Sequence, residues 1–329
     1  MKIFISIASY QDPLLETTIN SAYKNAKHPE NLVFGICDQS SNPINIDSFK
    51  FSNQFKYDHV NPIDSKGPCW ARARIQRSFN DEDFYLQIDS HMQFEENWDS
   101  YLIKYIEKIR GIDSEIHQSP IITCYPRAFN VIDLERGEFD LNNAETRTDA
   151  ISYRKDSMFI KNNFSRQIGS IASKEITHGY LIAAGCIFTT GDFVKKIPYD
   201  PEFYFYGEEI SIMLRSFTRN LGIFHIQSLP IFHLYAELSN IKRKLHWNED
   251  EDSNRDVKWY QREEKSINKL NTLINDDIEG AFGLGDKKTL DDYEYLSGVD
   301  LKNKVVTDEN KAFTAKFISN LDWRESPFK

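Results

Sequence analysis

Apolar runs and helix-patterned segments alternate through the first third of this sequence. The apolar runs cover residues 3–8, 32–37, 84–88 and 121–124. Between them, apolar residues recur at helical spacing in the segments 14–26, 67–79 and 98–109. Strands that alternate with helices build a sheet of parallel strands, in which the helices are right-handed crossovers. The sequence therefore predicts an α/β fold with a mixed, mainly parallel central sheet flanked by helices.

Polar residues directly follow three of these predicted strands. Residues 9–12 follow the first strand, Asp38 follows the second, and Asp89 and His91 follow the third. The carboxyl ends of parallel strands lie at one edge of a sheet, and open α/β sheets bind their ligands there. We therefore expect these side chains to face a common ligand site.

The stretch YLQIDSHMQF (85–94) places Asp89 and His91 two residues apart at a strand end. In an extended chain both side chains point to the same side, and a carboxylate with an imidazole suits Mn, Fe or Zn. An aspartate that caps the turn after the strand explains the same pair without a metal. A second histidine, His233 in PIFHLY (230–235), ends another apolar run. It is either a buried core histidine or a third ligand.

Two adjacent acids, Glu208 and Glu209, follow Gly207 at the start of a predicted helix. The helix dipole favours acids in a first turn, which accounts for one of them without any function. The aromatic run at 203–206 just before them would line a pocket for a sugar ring. Paired carboxylates in such a pocket bind sugar hydroxyls or handle a proton.

Arg72 lies on the helix predicted for 67–79, whose N-terminal end should face the ligand edge of the sheet. An arginine in that position either holds a phosphate oxygen or belongs to an exposed basic face.

The later part of the sequence follows a less regular pattern. Residues 126–173 are charged and rich in Asn, which predicts a solvated surface excursion. A helix is predicted to end at Gly222 and to lead into a strand at 223–234, with a bend or sheet edge at Pro230. An acidic linker at 248–256 and a helix at 257–274 then begin a C-terminal appendage.

Composition restricts the class of protein. The net charge of −10 and the pI near 5.4 argue against a nucleic-acid-binding protein. The sequence begins without the pattern of a secretory signal and has no apolar stretch long enough for a membrane span. Its four cysteines, which form no C-x-x-C pair, are expected to be buried free thiols. We therefore expect a cytoplasmic protein without a transmembrane segment.

Six motifs occur in the order found in a known family. They are SIASY (6–10), GPCWARAR (67–74), YLQIDSHMQF (85–94), HGYLIAAGCIFTTGDF (178–193), YGEEISIMLR (206–215) and IFHLY (231–235). Over residues 1–235 the sequence resembles GT-A glycosyltransferases, whose fold is Rossmann-like. It is most similar to the cytoplasmic retaining transferases that add GlcNAc to hydroxyproline, and its pattern is related to that of polypeptide GalNAc-transferases.

The resemblance implies a domain organisation. Residues 1–240 would form the GT-A catalytic domain, with the nucleotide-binding half at about 1–125 and the acceptor and sugar half at about 126–240. Residues 241–329 would form a lid loop and a C-terminal helical extension packed on the catalytic domain.

The resemblance also implies roles for individual residues. Asp89, His91 and His233 match a DXD-like metal site for Mn²⁺ or Mg²⁺, and Glu208 and Glu209 match the acidic pair at the base of the sugar pocket. The residues that match the binding site of the UDP-sugar donor are Ala8, Ser9, Tyr10, Asp38, Arg72, Ala184 and Gly185. Lys242 and Arg243 lie in IKRKLHW (241–247), where related enzymes keep a mobile lid, so they either reach the diphosphate or form a solvated basic loop.

The implied activity is metal-dependent transfer of GlcNAc from UDP-GlcNAc, or of a related hexosamine, to a hydroxyl of a glycan or protein acceptor, with retention of configuration. GalNAc and glucose remain alternative donor sugars. A protein that binds nucleotide-sugars or glycans without turning them over is an alternative function. A metal-dependent phosphohydrolase is disfavoured, because such sites gather more carboxylates around two ions.

Overall fold

The computed structural model describes residues 1–111, 115–141, 148–160, 164, 166–170, 175–235 and 241–314. Its strands are β1 (Ile3–Tyr10), β2 (Leu32–Gln39), β3 (Phe55–His59), β4 (Phe84–Ile88), β5 (Met92–Phe94), β6 (Ile121–Thr123), β7 (Arg127–Asp133), β8 (Glu138–Leu141), β9 (Ala150–Tyr153), β10 (Gln167–Ser170), β11 (Ile176–Gly179), β12 (Cys186–Thr190), β13 (Ile223–Ile226), β14 (Ile231–His233), β15 (Val299–Asp300) and β16 (Val305–Val306). Its α-helices are α1 (Leu15–Asn25), α2 (Pro68–Gln76), α3 (Trp98–Arg110), α4 (Phe193–Lys196), α5 (Glu208–Thr218), α6 (Glu249–Asp252), α7 (Trp259–Ile274), α8 (Leu290–Ser297) and α9 (Glu309–Ala312).

Eight of the described strands form the central sheet, in the order β11-β13-β6-β12-β4-β1-β2-β3. Strands β3, β2, β1 and β4 are parallel, as the alternation of strands and helices predicts. Strand β12 is antiparallel to both of its neighbours, β4 and β6. The predicted mixed, mainly parallel α/β sheet is therefore confirmed, and its parallel half carries the carboxyl edge on which the polar residues converge.

Both faces of this sheet are covered. Phe4 of β1 packs in one apolar cluster with residues of α2, α5 and α7, whereas Ile3, Ile5 and Ile7 pack in a second cluster with α1 and α3. Alternate residues of a strand point to opposite faces, so a strand covered on both sides is buried along most of its length, as β1 is. The four cysteines are buried free thiols, as predicted.

A second sheet has the order β5-β14-β7-β8. Its strands β7 and β8 lie inside the region 126–173 that the sequence predicts to be a solvated excursion, so that prediction is wrong for this part. In β7, buried and more exposed residues alternate, which is the pattern of a strand with one covered face. The rest of the region includes β9 and β10, while 142–147, 161–163, 165 and 171–173 lie outside the described residues.

The segment 223–234 is not one strand. Strand β13 belongs to the central sheet and β14 belongs to the second sheet, and Pro230 lies between them. This change of sheet brings His233, at the end of β14, beside the turn that follows β4. The preceding helix ends at Thr218 and not at Gly222, since Asn220 takes a left-handed φ of 62° that the helix cannot continue.

The predicted acidic linker at 248–256 is a packed segment. It contains the short helix α6 and two buried residues, Asp252 and Arg255, whose side chains pair with each other. The partner charges allow both to be buried, whereas a solvated linker would leave them exposed. Residues 315–329 of the predicted extension lie outside the described residues. In the described part of the molecule, no helix has the length and apolar character needed to cross a membrane.

Candidate active site

A cavity of about 330 Å³ opens at the carboxyl edge of β1 and β4. Its lining comes from the end of β1, the turn after β4, the end of β14, the start of α2 and the segment before α6. The lining residues are Ala8, Tyr10, Asp12, Gln39, Ser65, Gly67, Pro68, Arg72, Asp89, Ser90, His91, Phe205, His233, Arg243, Lys244, Leu245, His246 and Trp247. The predicted ligand edge of the sheet is thus a concave site.

Three of the lining residues are suited to bind a metal ion. Ligand atoms of Asp89, His91 and His233 all lie within 4.8 Å of one another. Oδ2 of Asp89 is 3.4 Å from Nε2 of His233. Nε2 of His233 thus faces the Asp89 carboxylate, whereas its Nδ1 is buried without a hydrogen-bond partner among the described residues. Two imidazoles and one carboxylate fit a divalent ion such as Mn²⁺.

Asp12 holds one of these histidines in place. Its Oδ2 lies 2.6 Å from Nδ1 of His91 and also accepts a hydrogen bond from the hydroxyl of Ser90 at 2.8 Å. Its Oδ1 accepts the backbone N–H of Leu14 at 2.9 Å. Burial opposes ionisation of Asp12, but His91 and the hydrogen bonds outweigh it and lower its pKa. Sequence reasoning grouped Asp12 with the polar residues that follow β1 and assigned it no individual role.

Arg72 is buried next to the candidate metal ligand Asp89. Its guanidinium donates to Asp89 Oδ1 at 2.9 Å and to the carboxylate of Glu208. Glu208 also accepts the hydroxyl of Tyr199 at 2.8 Å. Burial opposes the charge on Arg72, but Glu208, Tyr199 and Asp89 outweigh it, so the pKa of Arg72 lies well above its usual value. Arg72 is therefore not on an exposed basic face, and its donors are directed at protein carboxylates.

Glu209 faces a different cavity from the one lined by Arg72. This second cavity, of about 230 Å³, is lined by Tyr125, Arg166, Gln167, Phe205, Tyr206, Gly207, Glu209 and Ile210. Glu209 accepts the backbone N–H of Ala184 and the amide of Gln167, both at 2.9 Å. Burial and the neighbouring charge of Glu208 raise the pKa of Glu209 to about 7, against the effect of the Ala184 N–H. The two adjacent acids thus have separate environments.

The predicted aromatic run at 203–206 is divided between core and surface. Phe203 and Tyr204 are buried, whereas Phe205 is 40% exposed and lines both cavities. Phe205 also makes an edge contact with Trp247, at 4.8 Å between ring centroids. The boundary between the two cavities is therefore an exposed aromatic pair.

Three residues from the segment 246–255 surround Tyr10 in the wall of the first cavity. The hydroxyl of Tyr10 donates to Glu251 at 2.6 Å, the guanidinium of Arg255 lies 5.4 Å from its ring centroid, and the ring of His246 contacts it edge-on at 5.0 Å. Burial and the charge of Arg255 lower the pKa of His246 to about 3, so this imidazole is neutral. Sequence reasoning missed all three partners, because they lie in or beside a stretch whose acidic composition indicates a linker.

Other predicted residues fall into two groups. Ala8 and Tyr10 line the first cavity, whereas Ser9 and Asp38 are buried and do not. Asp38 instead accepts hydrogen bonds from the Tyr57 hydroxyl at 2.7 Å and from a backbone N–H.

Gly185 lies against Asp89: a Cβ at position 185 would be 2.7 Å from Oδ2 of Asp89. A side chain at position 185 would therefore force the Asp89 carboxylate to move.

The predicted lid residues also differ from each other. Arg243 lines the first cavity, with Nη1 at 2.6 Å from each ring nitrogen of His91 and 3.8 Å from Oδ2 of Asp12. Lys242 is exposed and is not part of the lining. A cation of the protein itself thus lies beside the candidate metal ligand His91.

The sequence profile of the family described as Glycosyltransferase (GlcNAc) matches residues 2–49 and 45–304, which is most of the chain. The chain belongs to this glycosyltransferase family. Membership in this family favours an enzyme over the binding-only alternative. A comparison with curated protein sequences finds no match.

Among solved structures, one that is similar to this chain is GalNAc-T7 with UDP, GalNAc and Mn²⁺. The TM-score is 0.52 and the sequence identity is 15% over 74% of this chain. The match covers 45% of the GalNAc-T7 chain. The likeness supports the predicted GT-A fold. Residues 1–349 of TarS from S. aureus in complex with UDP-GlcNAc match with a TM-score of 0.48 and 13% identity, over 84% of this chain and 73% of that one.

Proposed function

We propose that this glycosyltransferase transfers GlcNAc from UDP-GlcNAc to an acceptor hydroxyl, with a divalent metal ion held by Asp89, His91 and His233. The observation that carries the proposal is the convergence of these three ligand atoms within 4.8 Å in the wall of a cavity at the ligand edge of an α/β sheet. When bound there, a divalent ion supplies charge neutralisation for the diphosphate.

The remaining lining of the first cavity suits the nucleotide. The ring of Tyr10, fixed by Arg255 and Glu251, offers an aromatic face for the uracil base. The guanidinium of Arg243 is suited to bind phosphate oxygens, and arginine binds them with two parallel hydrogen bonds. We assign Tyr10 to the nucleotide and Arg243 to the diphosphate.

The donor sugar is assigned to the region between the two cavities. Gly185 leaves room beside Asp89, and Glu209 directs a carboxyl group into the second cavity. Glu208 is occupied by Arg72 and Tyr199, so we assign it to positioning Arg72 and Asp89. Glu209 is assigned to hydrogen bonding with a sugar hydroxyl. The similar structure of GalNAc-T7 contains UDP, GalNAc and Mn²⁺.

Retention of configuration is the stereochemistry that we propose. The carboxylate of Glu208 is held by two donors of the protein, and that of Glu209 by Ala184 and Gln167, so neither is arranged as a free nucleophile. In the proposed front-face reaction, the acceptor oxygen bonds to C1 of the sugar while the bond from C1 to the phosphate oxygen breaks. The acceptor proton passes to that phosphate oxygen, and the products are an α-glycoside and UDP.

A donor screen tests the reaction. UDP release is measured with UDP-GlcNAc, UDP-GalNAc and UDP-glucose, first with water and then with hydroxyl acceptors. UDP-GlcNAc should be the best donor, and proton NMR of the product should show an α-anomer. A β-linked product would overturn the retaining assignment, and the absence of UDP release from all three donors would overturn the proposed activity.

A further inference from the structure

A third cavity lies next to the proposed donor site, and the proposed reaction does not use it. Its volume is about 600 Å³, and it lies between the start of α2 and the helix α7. We call it the basic cleft. It is lined by Lys66, Trp70, Pro201, Glu202, Phe203, Tyr204, Val257, Arg262, Lys265 and Lys269.

The lining of the cleft carries more basic than acidic side chains, although the net charge of the whole protein is −10. Arg262, Lys265 and Lys269 recur at positions i, i+3 and i+7 of α7, so they share one face of the helix. Lys66 faces them from the opposite wall. Against these four cations the lining contains one acid, Glu202. An anion is therefore attracted to the cleft although the net charge of the protein is negative.

Three of the four cations are available to a ligand. Lys269 pairs with Asp200 at 2.7 Å and also with Glu202. Lys66 and Lys265 are exposed and have no acidic partner within 4.0 Å among the described residues. Arg262 is half-buried in the wall of the cleft, and it too has no acidic partner within 4.0 Å among the residues that the structure describes.

The floor of the cleft is aromatic. Trp70 is half-buried, with the ammonium of Lys66 at 5.9 Å from its ring and the guanidinium of Arg74 at 4.9 Å. Aromatic rings flanked by cations present a flat apolar surface between charges. This combination matches a chain of sugar rings that carries acidic groups.

The basic cleft is connected to the proposed donor site through two adjacent residues. Tyr204 lines the cleft, and its hydroxyl contacts Nδ1 of His246, which lines the donor cavity, at 2.6 Å. The next residue, Phe205, lines both the donor cavity and the cavity of Glu209. A ligand in the cleft would therefore lie beside the donor cavity, on the other side of the Tyr204–His246 contact.

We propose that the basic cleft binds an anionic glycan, whose acidic groups pair with Lys66, Arg262 and Lys265, and that this glycan is the acceptor. The acceptor role rests on the proposed transferase activity, whereas binding in the cleft does not. An acidic peptide would also be attracted by the charge, but the aromatic floor between the cations favours sugar rings.

The test is isothermal titration calorimetry with hexameric oligogalacturonate, a glycan with one carboxylate per sugar. Maltohexaose is the neutral control, and hexaglutamate is the peptide control. The double variant Lys66→Ala, Lys265→Ala removes two exposed cations of the cleft. The double variant Lys24→Ala, Lys56→Ala removes two exposed cations elsewhere and changes the net charge equally. The melting temperature of each variant monitors folding.

We expect oligogalacturonate to bind more tightly than both control ligands, and its affinity to fall between roughly 20 mM and roughly 300 mM salt. The affinity for oligogalacturonate should be at least about tenfold weaker in the variant without Lys66 and Lys265. The variant without Lys24 and Lys56 should bind oligogalacturonate as the wild type does. Equal binding of hexaglutamate, or equal effects of the two double variants, would overturn the proposal. Turnover of UDP-GlcNAc by the wild type is measured separately, so failure of the transferase assignment is distinguished from failure of the cleft assignment.

Discussion

Asp12 Oδ2 lies 2.6 Å from Nδ1 of His91, and this contact determines which nitrogen of His91 is available to a metal ion. A carboxylate beside Nδ1 favours the tautomer that carries its proton there, and Nε2 then keeps its lone pair. Carboxylates that hold metal-binding histidines in this way fix the orientation of the ring and increase its basicity. The proposed metal site therefore depends on a residue that does not bind the metal.

Asp12→Ala should weaken Mn²⁺ binding about 10- to 100-fold, because His91 loses the group that orients it. Asp12→Asn should have a smaller effect, since the amide oxygen can still accept the Nδ1 proton. The dissociation constant is measured from the electron paramagnetic resonance signal of free Mn²⁺. If Asp12→Ala binds Mn²⁺ as tightly as the wild type, Asp12 has no role in orienting His91.

Arg243→Ala should tighten Mn²⁺ binding in the absence of nucleotide by roughly tenfold, because the guanidinium is 2.6 Å from Nε2 of His91 and repels a second cation. The same variant should bind UDP more weakly, since the proposed phosphate ligand is lost. Lys242→Ala is the matched control in the same segment, and we expect it to change neither affinity. Calorimetric titration with Mn²⁺ and then with UDP measures both values. Unchanged Mn²⁺ affinity in Arg243→Ala would contradict the proposed competition.

Arg72→Met should lower the free energy of unfolding by about 3–5 kcal/mol, because it leaves the buried carboxylate of Glu208 without its charge partner. Arg77→Met, at the exposed end of the same helix, should change stability by less than about 0.5 kcal/mol. Urea unfolding followed by circular dichroism measures both. A cost for Arg72→Met no larger than that for Arg77→Met would show that Arg72 does not stabilise the buried acids.

Glu209 makes stability depend on pH in a defined direction. Its pKa is raised from 4.5 to about 7, by burial first and also by Glu208 and Asp89, against the effect of the Ala184 N–H and of Arg72. The folded protein therefore binds more protons than the unfolded chain between these values, so the free energy of unfolding falls as pH rises through this range and then levels off.

Glu209→Gln should lack this decline, because the amide does not titrate. The measurement is the melting temperature from pH 4.5 to pH 7 for the wild type and the variant. Glu16→Gln, which changes an exposed acid, is the control and should follow the wild type. Parallel curves for the wild type and Glu209→Gln would contradict the raised pKa.

The sequence allowed prediction of those parts of the site that depend on local pattern. Asp89 and His91 follow an apolar strand directly, so their position at the sheet edge follows from the strand alone. The pairing of His233 with them required the family resemblance, because the backbone changes sheet at Pro230 before it reaches β14. Periodicity indicates that a strand exists but does not indicate which sheet it joins.

Contacts between distant segments could not be predicted. Arg255 is 245 residues from Tyr10, and its stretch NEDEDSNRD has the composition of a solvated linker. Arg255 and Asp252 are buried with each other and with further hydrogen-bond partners, and composition does not reveal such contacts. Asp12 was overlooked for a related reason, since the same carboxylate both accepts the N–H of Leu14 before α1 and contacts His91.

The most direct test of the metal site is the rate of UDP release from UDP-GlcNAc after chelation and after addition of Mn²⁺. Wild type is compared with His233→Ala and with His28→Ala, which removes an exposed histidine outside the site. We expect chelation to abolish turnover, Mn²⁺ to restore it in the wild type and in His28→Ala, and His233→Ala to remain at least about 100-fold slower at the same Mn²⁺ concentration. Full turnover by His233→Ala, or by the chelated wild type, would contradict the proposed metal site.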